Sequence, residues 1–287
     1  MRILSLFFFW TCLFAEEKFV IGSFRNEGFF SSFLAVLSNV MWAERNGKIP
    51  VVHWTQECFY YQKEGYHGSM EPWEYYFEPI SHLRYEPGDP TYNSGDALDG
   101  THVWGPFLKY SDHFHREFRF QVHDVIQRYI QIKPHILEKV DAFYNTHMKG
   151  KRTIGIHLRG TDRNIKTKKD GMIEALLEAA ENVADKECQF FIATDEESLL
   201  DYAKGHVQHP LLYHNSHRST DGVPLHIGNF REECPALLGE EVLIEALLLS
   251  KCDFFVHSLS SVAVAVLYFN PSIPSIYKNP LTWIKFN

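Results

Sequence analysis

Thr153-Ile154-Gly155-Ile156-His157-Leu158-Arg159-Gly160-Thr161-Asp162 is the stretch on which the fold turns. Its first six residues are rich in β-branched and apolar side chains, with Gly150 before them and Gly160 after, and they read as one buried strand that ends abruptly in polar residues. Downstream the same kind of run recurs between amphipathic segments. The pattern predicts a helix from Met172 to Val183, a strand from Gln189 to Ala193, and a helix from Glu196 to Lys204 closed by Gly205. A strand at Leu211 to His214, a helix from about Glu241 to Lys251, a strand from Asp253 to His257 and a helix from Ser261 to Phe269 complete it. Apolar strands alternating with helices imply a parallel sheet covered on both faces, so the second half is a doubly wound α/β domain.

Upstream of Gly150 the chain opens with another βαβ unit. Phe19 to Ser23 and Ile49 to Trp54 read as strands, and the helix between them, from about Gly28, carries Phe30, Leu34, Leu37 and Met41 at helical spacing. Between Thr55 and Phe120 regularity gives way to Pro, Gly and aromatic residues, which read as long packed loops whose rings fill a core. Helical periodicity returns over Val122 to Ile130, and again after Pro134 to about Met148. The 287 residues thus divide into an N-terminal α/β domain, 16–149, and a C-terminal one, 150–287.

Hydrophobic content of 45% with 22% charged residues is that of a globular protein, and a formal charge of −8 leaves no cationic excess for a nucleic-acid polymer. An anionic ligand must therefore be held by a few placed groups. Met1-Arg2, the apolar run from Ile3 to Phe14 and Ala15 have the layout of a secretory signal, 1–15, with a buried first strand as the alternative. The run is too short to span a membrane. A signal would put the protein in a secretory pathway or envelope; without one it is cytoplasmic. No Asn-x-Ser/Thr acceptor occurs, and the scattered cysteines have no zinc-ribbon spacing.

Ligands of open α/β sheets bind beyond the carboxyl ends of the strands, where three polar clusters fall. At the first, Arg159 offers a planar fork of donors suited to a diphosphate, His157 points to the same side, and Gly160 lets backbone approach a ligand closely. At the second, Asp195 can accept paired donors, as guanine's edge or a ribose hydroxyl pair presents, or it can cap the following helix. At the third, Ser260 and Ser261 stand where a helix begins, with unpaired N–H groups and partial positive charge beside two hydroxyls.

The first cluster, Phe191-Ile192-Ala193-Thr194-Asp195, and the segment from Glu241 to Val262 together resemble the three successive motifs of the α1,6-fucosyltransferase, nodulation fucosyltransferase and protein O-fucosyltransferase superfamily. That resemblance implies a GT-B architecture: two Rossmann-like domains facing across a cleft, GDP-fucose held mainly by the C-terminal one, transfer with inversion, and no metal or other cofactor. It implies that Arg159 contacts the β-phosphate, His157 lies beside the diphosphate, Asp195 reads guanine, and Ser260 and Ser261 contact phosphate. Members often carry two adjacent arginines in the first motif, and here the second position is Gly160. In the N-terminal half Asn26, Glu27 and Gly28 sit at the first strand-to-helix turn, facing the sugar or a glycan or other hydroxyl acceptor. Proton removal from the acceptor falls to Asp162, Glu27 or His157, and the sequence does not choose among them.

Other readings are weaker. His157 and Asp162 have the H-x4-D spacing of acyltransferases, without their downstream Phe-Pro-Glu-Gly block. Another GDP-sugar transferase, or a nucleotide-sugar-binding protein without catalysis, fits the same residues. Histidines at 113, 115, 206, 209, 214 and 217 have mixed spacing and read as solvated rather than metal-binding.

Overall fold

The computed structural model describes residues 17–22, 27–92, 116–161, 171–227, 234–278 and 283–286. The candidate signal at 1–15, together with Asn26, Asp162, His113 and His115, lies outside them. In the N-terminal half β1 (Lys18–Gly22) leads into α1 (Phe29–Arg45) and β2 (Ile49–His53). β1 pairs in parallel with β2 on one side and with the short β3 (Thr91–Tyr92) on the other. α2 (Arg116–Tyr129) starts six residues before the predicted helix. α3 (Pro134–Phe143) ends early and passes into a π-helical turn over Tyr144–Met148.

The C-terminal half contains β4 (Thr153–Leu158), α4 (Met172–Val183), β5 (Gln189–Thr194), α5 (Glu197–His206), β6 (Leu211–Leu212), α6 (Pro235–Ser250), β7 (Phe254–Ser258), α7 (Ser261–Phe269), β8 (Ser275–Lys278) and β9 (Trp283–Phe286). Its six-stranded sheet has the order β6-β5-β4-β7-β8-β9, parallel except for β9. In chain order of these six strands that is 3-2-1-4-5-6, the Rossmann order, in which the strand order reverses between β4 and β7 and a crevice opens there.

Strand alternation decides which side chains reach that crevice. Ile154, Ile156 and Leu158 of β4, Phe190 and Ile192 of β5, and Phe254 and Val256 of β7 pack under α4 and α5. The odd-numbered residues face the other way, where Phe191, Ala193 and Phe255 join a second core with α6, α7 and the N-terminal half. His157 and Arg159 lie on that second face. Gly155 shares it for a steric reason: a Cβ there would stand 3.0 Å from Cys252 Sγ and from Leu249 Cδ2, so glycine lets α6 press directly on the sheet.

α6 starts six residues earlier than the sequence reading placed it, at Pro235 rather than Glu241. It is apolar nearly all round because the sheet buries one side and the N-terminal half the other, leaving no stripe to mark its beginning. Its N-cap is Cys234, without a side-chain cap, followed by Pro235 at the first helical position. The Tyr76 hydroxyl donates to the Ala236 carbonyl at 2.9 Å, and α6 packs on α3 while α7 packs on α1 and α2. The two sheets are separate, with a left-handed turn at Gly150 (φ 77°) between them, but one hydrophobic core runs through both halves. Trp73, Tyr75, Tyr76 and Phe77 are buried in it, the core-filling role expected of the aromatic-rich loops.

Candidate functional site

A cleft of about 410 Å³ lies between the carboxyl ends of β4, β5 and β7 and the N-terminal end of α1. Its size is that of a small-ligand site. From the C-terminal half it is lined by His157, Arg159, Thr161, Asp195 and Ser261, and from the N-terminal half by Glu27, Gly28, Phe29, Ser31 and Tyr60. His157, Arg159, Asp195, Ser261, Glu27 and Gly28, singled out from sequence, thus meet in one place although their positions span most of the chain.

The loop carrying Arg159 is clamped from behind. Asp195 Oδ1 accepts the Gly160 N–H at 2.7 Å, while Oδ2 accepts the Thr161 hydroxyl at 2.7 Å and its N–H at 3.4 Å. Asp195 therefore holds the loop. It does not cap α5, whose N-cap is Glu196 and has no side-chain cap. Gly160 is explained the same way, since a Cβ there would lie 2.8 Å from Glu196 Cβ. Its missing side chain makes room for the buried Glu196 rather than for a ligand, so the second arginine of related motifs has no space here.

Ser260 also sits behind the cleft wall. Its buried Oγ accepts the Ala263 N–H at 3.0 Å, capping α7, and lies 3.3 Å from His157 Nδ1. When that hydroxyl donates to Nδ1 the neutral ring carries its proton on Nε2, and when it accepts from Nδ1–H the proton is on Nδ1. Ser261 and Val262, the first residues of α7, line the cleft in its place, so the positive end of the helix faces the space beside Arg159.

On the opposite wall Gly28 is the N-cap of α1 in extended conformation, and the Phe29 N–H donates to the Tyr60 hydroxyl at 2.7 Å. Burial pushes the Tyr60 phenol well above its ordinary range, partly offset by the Phe29 N–H and by the charge of nearby Arg159. Glu27 accepts a hydrogen bond from the Ser31 hydroxyl one turn into the helix.

The sequence reading missed the acidic face of α6. Glu241 and Glu245, one turn apart, both line the cleft and are buried. Glu241 accepts the His217 backbone N–H at 2.9 Å and sits 2.9 Å from its Nδ1. Glu245 Oε1 lies 3.2 Å from an Arg218 guanidinium nitrogen, yet burial outweighs that charge and pushes its carboxyl up to about 8. The signal was present in Glu-x3-Glu, four residues apart on one face of the helix predicted from Glu241, but nothing in the sequence says that this face meets the cleft. Of the histidines read as solvated, His206 bonds the Tyr202 carbonyl, His209 pairs with Glu181, His214 bonds Ser216 and His217 pairs with Glu241.

No protein-family model matches the chain, and no curated protein matches it in sequence. Solved structures do match in shape. NodZ α-1,6-fucosyltransferase, co-crystallised with GDP, superposes with a TM-score of 0.61 at 16% identity, over 95% of this chain and 98% of that one. The chain has their GT-B fold. NodZ from Bradyrhizobium gives 0.60 at 16% identity, covering 95% and 99%. Arabidopsis thaliana FUT1 in complex with GDP gives 0.54 at 12% identity, covering 94% of this chain and 73% of that one. The expected architecture of two Rossmann-like units facing a cleft is thus the observed one, and among the described residues no helix is long and apolar enough to cross a membrane.

Proposed function

We propose that the protein is a glycosyltransferase moving fucose from GDP-fucose to a hydroxyl acceptor, with inversion and without a metal in the cleft. The observation that carries this is the convergence of Arg159, His157 and the α7 N-terminus at the β4/β7 switch point, across from the carboxylate of Glu27. Two proteins of the same fold are described in complex with GDP.

When the bond between fucose and the β-phosphate breaks, negative charge grows on the departing diphosphate. Donors fixed in advance stabilise that charge most, because they need no reorganisation during the reaction. The Arg159 guanidinium supplies paired charged N–H groups, the α7 N-terminus supplies backbone N–H groups, and His157 supplies Nε2–H. We assign His157 as a donor, its Nδ1 facing Ser260, and Glu27, the cleft-lining carboxylate contributed by the N-terminal half, as the base that takes the acceptor's proton. Asp195 lines the cleft but already accepts three hydrogen bonds from the loop, so we assign guanine reading to Glu245 beside it. The paired N–H donors of guanine would stabilise the ionised form of Glu245 against the burial that otherwise keeps it protonated, and adenine lacks that pair.

The test is a thermal-shift series with GDP, GDP-fucose, GDP-mannose, ADP and UDP, followed by release of GDP from GDP-fucose. A guanine-selective stabilisation with GDP release supports the reading. Equal response to all nucleotides, or none, contradicts it. Guanine-selective binding without turnover of any GDP-sugar would instead mark a nucleotide-sugar-binding protein.

A further inference from the structure

Away from the cleft, the first turns of α6 carry a second polar cluster, built around Glu240. This carboxylate is 1% exposed in its side chain and is met from three directions by the N-terminal half. The Tyr66 hydroxyl donates to Oε2 at 2.9 Å, His135 Nε2 lies 3.2 Å from the same oxygen and His67 Nε2 3.6 Å from it, and Lys139 pairs with Oε1. The two imidazoles stack with centroids 3.8 Å apart. Among the described residues these three are the one group of His, Cys, Asp and Glu side chains close enough to share a cation, and none of them lines the cleft.

Two independent features need explaining. His135 Nε2 is buried and, although 3.2 Å from Glu240 Oε2, makes no well-angled hydrogen bond. A buried imidazole nitrogen in that condition costs stability unless something satisfies it. His67 has φ 47°, the left-handed region, at the first central position of a two-residue hairpin turn closed by reciprocal Tyr66 and Ser69 backbone bonds, with Gly68 (φ 83°) second. Such turns prefer Asn, Asp or Gly there. Histidine at this position serves no need of the turn, but it brings Nε2 to Glu240.

We propose that His67, His135 and Glu240 bind a zinc-class divalent cation, with water completing the coordination. Zn–N and Zn–O bonds of about 2.0–2.2 Å in tetrahedral arrangement put neighbouring ligand atoms about 3.3–3.6 Å apart. The 3.2 and 3.6 Å separations from Glu240 Oε2 match that spacing. Two imidazoles and one carboxylate suit zinc, whereas magnesium and calcium want oxygen throughout. Burial, with the neighbouring His67 and Lys139, lowers the proton affinity of His135 and keeps its lone pair available. Lys139 on Oε1 and Tyr66 on Oε2 orient the carboxylate, as outer partners of metal ligands do. The rings must rotate out of their stack for the lone pairs to converge. Half-exposed His67 leaves a route of entry.

The cation is a staple. It joins the 66–69 hairpin and the start of α3 to α6, the helix that carries Glu241 and Glu245 into the cleft, and the inference does not rest on the transferase reading. The test uses the full chain dialysed against a chelator, then titrated with Zn²⁺ and Co²⁺. One ion per chain is expected, with the visible absorption of tetrahedral Co²⁺ and a Tm rise of roughly 5–10 °C at a hundredfold excess over Kd. His67→Gly, which suits the turn and so folds, should weaken binding by on the order of 10²-fold or more, as should His135→Gln. His206→Asn, removing an imidazole on α5, should leave binding intact. Absence of stoichiometric binding, or binding that survives both His67→Gly and His135→Gln, overturns the proposal.

Discussion

Adding one methyl group at Gly160 is expected to disable the protein, and the geometry sets the size of the effect. An alanine Cβ would sit 2.8 Å from Glu196 Cβ, closer than real side chains approach. Glu196 cannot swing aside, because its Cβ moves only with the backbone. That backbone is fixed by the pairing of its strand end to Ser219, where the Glu197 N–H bonds the Ser219 carbonyl at 3.0 Å and the Ser219 N–H bonds the Asp195 carbonyl at 2.9 Å. The 159–161 loop must yield instead, stretching the 2.7 Å bond from the Gly160 N–H to Asp195. Overpacking of this kind costs about 1–3 kcal/mol, or roughly 2–4 °C of Tm per kcal/mol for a chain of this size. A displacement of about 1 Å in the adjacent Arg159 would cost about 10²-fold in turnover. The assay is a double-mutant cycle of Gly160→Ala and Glu196→Ala, read in urea unfolding and in GDP affinity. Glu196→Ala keeps the Cβ, so it should recover only the part of the loss due to the carboxylate, while Glu196→Gly should recover most of it. Wild-type stability and GDP affinity in Gly160→Ala alone would refute the reasoning.

Gly239 lies inside α6, where alanine normally gains up to about 1 kcal/mol over glycine. Here a Cβ would meet Tyr76 Cζ at 2.6 Å, so Gly239→Ala should instead destabilise by about 1–3 kcal/mol in chemical unfolding; a stabilised variant would show that α6 does not press on the N-terminal half as described. Glu245 has its folded-state pKa raised by burial to about 8, so its contribution to stability is full below the unfolded value of 4.5 and is lost as pH rises through 8. Glu245→Gln removes that loss, so the Tm of the variant minus that of the wild type should increase from pH 5 to pH 8; a difference that is flat or falls with pH would place Glu245 as an ionised partner of Arg218.

How much could be read in advance depended on how local the cause was. β4, β5 and β7 and their helices are legible because each strand is a short apolar run with polar residues at its end, and that is also why His157, Arg159, Asp195 and Ser261 could be named. The roles of Ser260, Gly160 and Asp195 were not legible. Each turns on which way a side chain points relative to a neighbour distant in sequence: Ser260 inward to His157, Gly160 against Glu196, Asp195 onto the 159–161 loop. The start of α6 was lost because a helix buried on all sides has no amphipathic period. Glu240 went with it, whereas Glu241 and Glu245 fell inside the predicted helix with no sign that their face meets the cleft. The His67, His135 and Glu240 cluster had no sequence signature at all, since 68 and 105 residues separate its members.

The central claim is that Arg159, with the N-terminus of α7 beside it, grips a diphosphate. Calorimetric binding of GDP and of guanosine to the wild type and to Arg159→Ala isolates that contact, because the two ligands differ only in the phosphates. Charged hydrogen bonds contribute about 1.5–3 kcal/mol, so Arg159→Ala should weaken GDP by roughly 10- to 100-fold and leave guanosine affinity unchanged. GDP affinity that survives the substitution, or an equal loss for GDP and guanosine, would contradict the account.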